Sequence, residues 1–177
     1  GRYDEAMGSF QRIVDTDPLN HMTYSNYSFN ALAAGQVSLA DEMIRKAIEF
    51  KPDSAFVHYQ LTKVLLAQDK VAEAREAIEN ETSPIWQTIG NGMVACAAGE
   101  TETAYAIAEE LIAQREVFNA AEIHGLCGDT ERVFELLNEA AEARDPALIE
   151  MKLSWQLAYL RDDPRWHAVL EKVGLPI

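Results

Sequence analysis

Cysteine is scarce in this chain of 177 residues, which holds only Cys96 and Cys127. Two thiols exclude a disulfide-dense secreted scaffold. Neither belongs to a Cys-x-x-Cys motif or stands beside a helix-start cation, and both read as small apolar packers. A bridge between them stays open, because sequence spacing does not fix a Cα separation. Nine glycines and six prolines are too few for a collagen-like or disordered chain. No run of about 18 apolar residues occurs, so no direct membrane insertion is expected. Cations are short as well: 15 Lys and Arg face 29 Asp and Glu, and a net charge of −14 opposes a phosphate backbone. No nucleic acid is expected as a partner.

Catalytic and metal-binding patterns are also missing. His21, His58, His124 and His167 are spread along the chain, with no pair at i, i+4 and no Cys or Glu at zinc-ligand spacing. Each reads as a partly exposed helix residue, and no metal is expected. Gly90-Asn91-Gly92 lacks the Lys-Ser/Thr of a phosphate loop and reads as a place of close helix approach. Gly-x-Ser-x-Gly does not occur. The expectation is no catalytic residue, no cofactor and no enzyme.

What is present is an internal period. Gly1-Arg2-Tyr3-Asp4-Glu5-Ala6 aligns with Gly35-Gln36-Val37-Ser38-Leu39-Ala40 at a spacing of 34 residues, and Asp69-Lys70-Val71-Ala72-Glu73-Ala74 follows 34 residues later. The frame then shortens, to Gly99 after 30 residues and Gly128 after 29. Each unit predicts two helices, A and B, joined at the Gly or Asp. Ala40, Met43, Ile44, Ala47 and Ile48 stripe one helix at i, i+3, i+4, i+7, and no segment sustains period-two alternation. Pro18 and Pro52 end B helices. Ser83-Pro84, Asp145-Pro146 and Asp163-Pro164 read as an N-cap followed by proline in the first turn.

This pattern resembles the tetratricopeptide repeat (TPR) family. The resemblance implies an all-α, TPR-like solenoid of antiparallel helix pairs over residues 1–146, its first unit lacking helix A. Residues 147–177 are then expected to form a capping helix pair. Leu148, Met151, Trp155, Ala158 and Tyr159 make the first stripe of that cap, and Val169, Leu170 and Val173 the second. The ending Leu160-Arg161-Asp162-Asp163-Pro164-Arg165-Trp166, with Gly174-Leu175-Pro176, is similar to the close of repeat arrays at the C-termini of bacterial signalling proteins. Those include nucleotidyl cyclases, winged-helix regulators and kinases.

The resemblance also implies where a partner binds. Family contacts fall at fixed slots of helix A, here including Met22, Phe29, Phe56, Tyr59, Lys63, Trp86, Ile89, Met93 and Phe118. Nearly all are apolar or aromatic, which marks either a binding surface or a buried core. The expected ligand is a protein or peptide with apolar anchors, laid in a concave groove. The family's clamp for a terminal carboxylate does not fit, because Lys63, Arg115, Asn26 and Asn119 are scattered.

Charge adds a further expectation. Between Glu100 and Glu142 eleven acids face two arginines, and Glu131, Glu135 and Glu139 share one helix face. That is a solvated face, or a landing strip for a basic partner. Tyr3, Met7, Phe10 and Val14 would leave an apolar edge at which two copies could form a homodimer. The chain starts without Met or an apolar leader and reads as a fragment of a larger bacterial regulatory protein. Cytoplasm is the default compartment, with the periplasm as the alternative if an upstream anchor exists.

Overall fold

A computed structural model describes residues 3–176, with side chains from residue 5 onward. All regular elements among the described residues are helical: α1 (Tyr3–Thr16), α2 (His21–Ala33), α3 (Val37–Phe50), α4 (Val57–Leu66), α5 (Val71–Ile78), α6 (Pro84–Ala97), α7 (Thr101–Ala113), α8 (Val117–Leu126), α9 (Thr130–Ala143) and α10 (Pro164–Val173), with 3-10 segments at Pro146–Leu153 and Ala158–Leu160. None of the described helices is long and apolar enough to cross a membrane. The chain divides into two compact units, Gly1–Gly90 and Asn91–Ile177.

Both units use the same turn. Gly35, Asp69, Gly99 and Gly128, the residues that mark the sequence period, all have positive φ. One residue in the left-handed region lets the next amide turn back onto the ending helix. Gln36 N–H donates to Ala31 O at 2.9 Å, Lys70 N–H to Leu65 O at 2.9 Å, Glu100 N–H to Ala95 O at 2.8 Å and Asp129 N–H to His124 O at 3.0 Å. The same residue then starts the following helix, as when Gln36 O accepts from Ala40 N–H at 3.0 Å.

In the first unit α2 packs on α3 and α4 on α5. Ala40, Met43, Ile44 and Ala47 are buried, as the stripe predicts. Small hydroxyl residues sit where the paired helices come close. Ser28 Oγ donates to Ala40 O at 2.8 Å; 34 residues later Thr62 Oγ bonds His58 O at 2.8 Å and reaches Ala74 O at 3.5 Å. Gly90 and Gly92 lie in α6 at tight approaches, as expected. A Cβ on Gly90 would run into Ile78, and one on Gly92 would come within 2.5 Å of Ile123 Cδ1.

The shorter period has two physical origins: α5 runs 8 residues where α3 runs 14, and in the second unit a loop between a B and an A helix is lost. Residues 51–56 and 79–83 separate B from A helices in the first unit. Between α7 and α8 a left-handed turn at Arg115 replaces such a loop, and Glu116 N–H closes it on Leu111 O at 2.9 Å. Cys96 and Cys127 correct the packing expectation: their Cα atoms lie 5.4 Å apart and the sulfurs form a disulfide. It fastens the last turn of α6 to the residue that caps α8. His124 also departs from expectation. It is 4% exposed, stacked on Tyr105 with ring centroids 4.4 Å apart.

The end of the chain is helical, but its first stripe is 3-10 rather than α. Arg161 Nη2 donates to Lys152 O at 3.1 Å and Ser154 O at 3.4 Å, satisfying carbonyls at the end of the segment that have no amide partner along the helix. Leu148 and Met151 are buried, whereas Tyr159 is exposed and donates its hydroxyl to Gly125 O at 3.1 Å. Asp163 caps α10 ahead of Pro164, accepting from Arg165 N–H at 2.8 Å. Arg165 then ties α10 to α9. Its guanidinium bonds Glu131 at 2.9 Å and Asp163 at 2.9 Å and lies 4.1 Å from the Phe134 ring centroid.

Candidate functional site

The expected A-helix slots converge in the first unit on an aromatic cluster. It begins with an uncommon backbone: Phe56, the N-cap of α4, has φ 79°. A bulky residue resists the left-handed region, so something must hold it there. That something is Glu81, 5% exposed and delivered by the loop after α5. Its carboxylate accepts Phe56 N–H at 3.0 Å, Tyr59 N–H at 3.0 Å and Ser83 N–H at 2.9 Å. Phe56 has no side-chain oxygen for capping, and Glu81 supplies the missing cap from 25 residues away. The negative charge also suits the positive end of the α4 dipole.

This clasp sets the rings. Tyr59 stacks on Trp86 with centroids 5.0 Å apart, and Phe56 meets Trp86 edge-on at 5.2 Å. Phe56 also meets Tyr59 at 5.5 Å and Phe29 at 6.4 Å. Lys63, one turn after Tyr59 and 4% exposed, places its ammonium 4.6 Å from the Tyr59 centroid, 4.7 Å from Phe29 and 5.4 Å from Phe56. Ring faces carry negative electrostatic potential, so this cation binds the cluster together. The rings of Phe29, Phe56 and Trp86 remain partly open to solvent.

The remaining slots separate by environment. Met22 is 61% exposed and available for contact. Ile89 and Met93 are fully closed to solvent, and Tyr59, Phe118 and Lys63 nearly so. As they stand these side chains support the surface instead of forming it. Met93 accepts a long contact from Gln156 Nε2 at 3.5 Å within the second unit. Phe118 N–H donates to Asp145 Oδ2 at 3.1 Å, while Asp145 Oδ1 accepts Ala147 N–H at 2.9 Å. The second unit thus repeats the Glu81 device: an acid from a later loop accepts an amide at the start of an A helix.

The proposed oligomer edge is partly consumed within the chain. Met7 is buried, Phe10 stacks on Tyr27 with centroids 5.4 Å apart, and Val14 is half-buried. The Tyr3 side chain lies outside the described residues. Ile13, Leu19 and Met22 are the exposed apolar side chains nearby.

Sequence reasoning found the rings but missed Glu81, the disulfide and the burial of His124. A carboxylate that caps a helix 25 residues upstream leaves no local pattern. The only sequence signal is an acid two residues ahead of Ser83-Pro84. Among the described residues no group of three His, Cys, Asp or Glu could hold a metal ion.

No family model matches the chain. Over 77 residues it is 34% identical to a protein described as STIP1 homolog from Dictyostelium discoideum, a match covering 44% of this chain and 14% of that protein. Over 150 residues it is 22% identical to TPR repeat-containing protein MJ1428 of Methanocaldococcus jannaschii, covering 78% of this chain and 26% of the relative. The chain therefore spans about a quarter or less of these curated relatives. Two solved structures share the architecture. PilW, a widely conserved type IV pilus biogenesis factor, aligns at TM-score 0.60 and 19% identity over 95% of this chain and 90% of its own. YrrB, a TPR protein with an unusual peptide-binding site, aligns at TM-score 0.51 and 15% identity over 93% and 90%. The fold is the TPR arrangement of antiparallel helix pairs.

Proposed function

We propose that this chain is a non-catalytic protein–protein interaction module. Its partner is a protein or peptide whose apolar side chains rest on the ring edges of Phe29, Phe56 and Trp86 and on Met22, along the concave side that helices A form in such repeats. Residues 1–146 act as the repeat array and 147–177 as its cap. The single observation that carries this reading is the strained Phe56. Glu81 holds a bulky, partly exposed residue in left-handed geometry, and such strain gathers where a surface is preorganised. The resemblance of Leu160-Arg161-Asp162-Asp163-Pro164-Arg165-Trp166 to the close of signalling-protein repeat arrays supports a place within a larger bacterial regulatory protein. The Cys96–Cys127 bridge supports an oxidising compartment such as the periplasm over the cytoplasmic default.

Peptides enriched from a random display library on the full chain test the reading. Phe56→Ala combined with Trp86→Ala is expected to weaken the enriched peptides at least tenfold, a loss of about 1.4 kcal/mol. The helical circular dichroism of that variant should survive. Unchanged affinity in a folded double variant removes the aromatic face from recognition.

A second reading is an oligomerisation scaffold, supported by the exposed Ile13, Leu19 and Met22 near the first helix. Light scattering at micromolar concentration decides it. A dimer that Leu19→Glu dissolves supports the scaffold, and a strict monomer removes it.

A further inference from the structure

A second recess lies away from the aromatic cluster, within the first unit. It is a trough of about 510 Å³ between α3 and α5, floored by α4. The repeat register explains why it is open. α3 and α5 start 34 residues apart, but α5 ends at Ile78, well short of the counterpart of Phe50. The counterpart of Ile48 is Thr82, which already belongs to the loop that brings Glu81 back to α4. Ile48 is left without a full helix beside it. Together with Leu61, Leu65 and Ala77 it makes an apolar floor, on which Ile48 and Leu61 keep part of their surface in water.

The walls carry mostly one sign of charge. Glu49 stands on the α3 side, and Glu73 and Glu76 on the α5 side. The cation in the lining, Arg45, is engaged by Asp41, with Nε 3.1 Å from both carboxylate oxygens. Lys46, the neighbouring cation on α3, is held by Glu42 at 2.8 Å. His58 directs Nε2 to Pro52 O at 2.9 Å. An apolar floor between acid walls, on a chain of net charge −14, complements a segment that is apolar along one stripe and cationic beside it.

We infer that this trough is a second docking surface, and that its occupant is a basic amphipathic helix of a partner protein. Apolar side chains at i, i+3/i+4 and i+7 lie over Ile48, Leu61 and Leu65, and flanking Lys or Arg residues meet Glu49, Glu73 and Glu76. The carboxylates set orientation and encounter rate, and the floor supplies the apolar contact. This inference is independent of the aromatic face, because no residue is shared.

The test uses the full chain and a synthetic amphipathic peptide with leucines at helical spacing and lysines on both flanks. Two controls accompany it: the same composition scrambled, and the same helix with glutamates for lysines. Backbone amide shifts are followed by NMR, and affinity by fluorescence anisotropy. The inference expects shifts centred on Ile48, Leu61 and Ala77, no binding of the glutamate peptide and weaker binding of the scrambled one. Glu73→Gln with Glu76→Gln should weaken binding about tenfold, since two exposed charge pairs are removed. Phe56→Ala with Trp86→Ala should leave it unchanged. Shifts centred on Glu131, Glu135 and Glu139 or on the aromatic face would overturn the inference. So would equal binding of the scrambled peptide, equal affinity in the double glutamine variant, or no binding at all.

Discussion

Two buried residues test how single side chains hold this fold. Glu81 accepts three backbone amides from two different helix starts. Glu81→Gln preserves shape but replaces one acceptor oxygen with a donor that faces N–H groups. The loss of a charge-assisted bond predicts destabilisation of about 2–3 kcal/mol in urea titrations. Near-ultraviolet circular dichroism of the stacked Tyr59–Trp86 pair should weaken before the helical signal does. His124 tests a titration. Burial among Tyr105 and its neighbours pushes its pKa below the ordinary value, and Asp129, 3.4 Å from Nδ1, only partly counters that; Arg132 lowers it further and Glu109 raises it. The folded state thus binds a proton less readily than the unfolded chain. His124 stability is complete above about pH 6.5 and is lost as pH falls toward its depressed folded value. His124→Phe keeps the stack on Tyr105 and removes the proton. The stability gap between wild type and variant should therefore change in favour of the variant from pH 7.5 to pH 5.5, by up to about 1.4 kcal/mol per unit. A pH-independent gap would show that His124 carries no such linkage.

Helices were the most legible level. Their phase follows from the Gly35, Asp69, Gly99 and Gly128 turns, because one left-handed residue between two amphipathic stripes fixes both helix ends. Proline placement likewise gave the starts at Pro84, Pro146 and Pro164. The 3-10 form of Pro146–Leu153 was not legible, since an apolar stripe marks a buried helix face without distinguishing 3-10 from α pairing. Of the candidate site, Phe29, Phe56 and Trp86 were readable from slot number, whereas the burial of Ile89, Met93 and Phe118 depends on packing that slots do not encode. The Cys96–Cys127 bridge was unreadable for the same reason: a separation of 31 residues becomes 5.4 Å between Cα atoms only when α6 and α8 pack side by side. Closing a loop of that length restricts the unfolded chain. Cys96→Ser with Cys127→Ser, or reduction by dithiothreitol, should cost about 2–4 kcal/mol. Denaturation with and without reductant checks the value, and a reductant-insensitive midpoint with two titratable free thiols would show that no bridge forms.

At the scale of the whole chain, electrostatics works against the fold it decorates. The net charge is −14, and residues 100–142 alone contribute −9, eleven acids less two arginines. Local pairs relieve part of this: Arg132 bridges Glu109 at 3.5 Å and Glu135 at 2.9 Å, Arg165 takes Glu131 at 2.9 Å, and Lys172 takes Glu142 at 3.0 Å. All of these pairs are substantially exposed, so each contributes about 1 kcal/mol or less. The repulsion among the excess acids is screened by salt, with a screening length of about 10 Å at 0.1 M. Screening weakens the few attractive pairs and the many repulsive ones together, and the excess of acids decides the sign. The melting temperature should therefore rise as NaCl goes from about 10 mM to about 300 mM. A charge-neutralised chain with Glu102→Gln, Glu110→Gln and Glu139→Gln, none of them in a described ion pair, should start from a higher melting temperature and gain less from salt. A melting temperature that falls with salt would mean that the Arg132, Arg165 and Lys172 pairs outweigh the repulsion, and that the acidic surface is balanced within the fold.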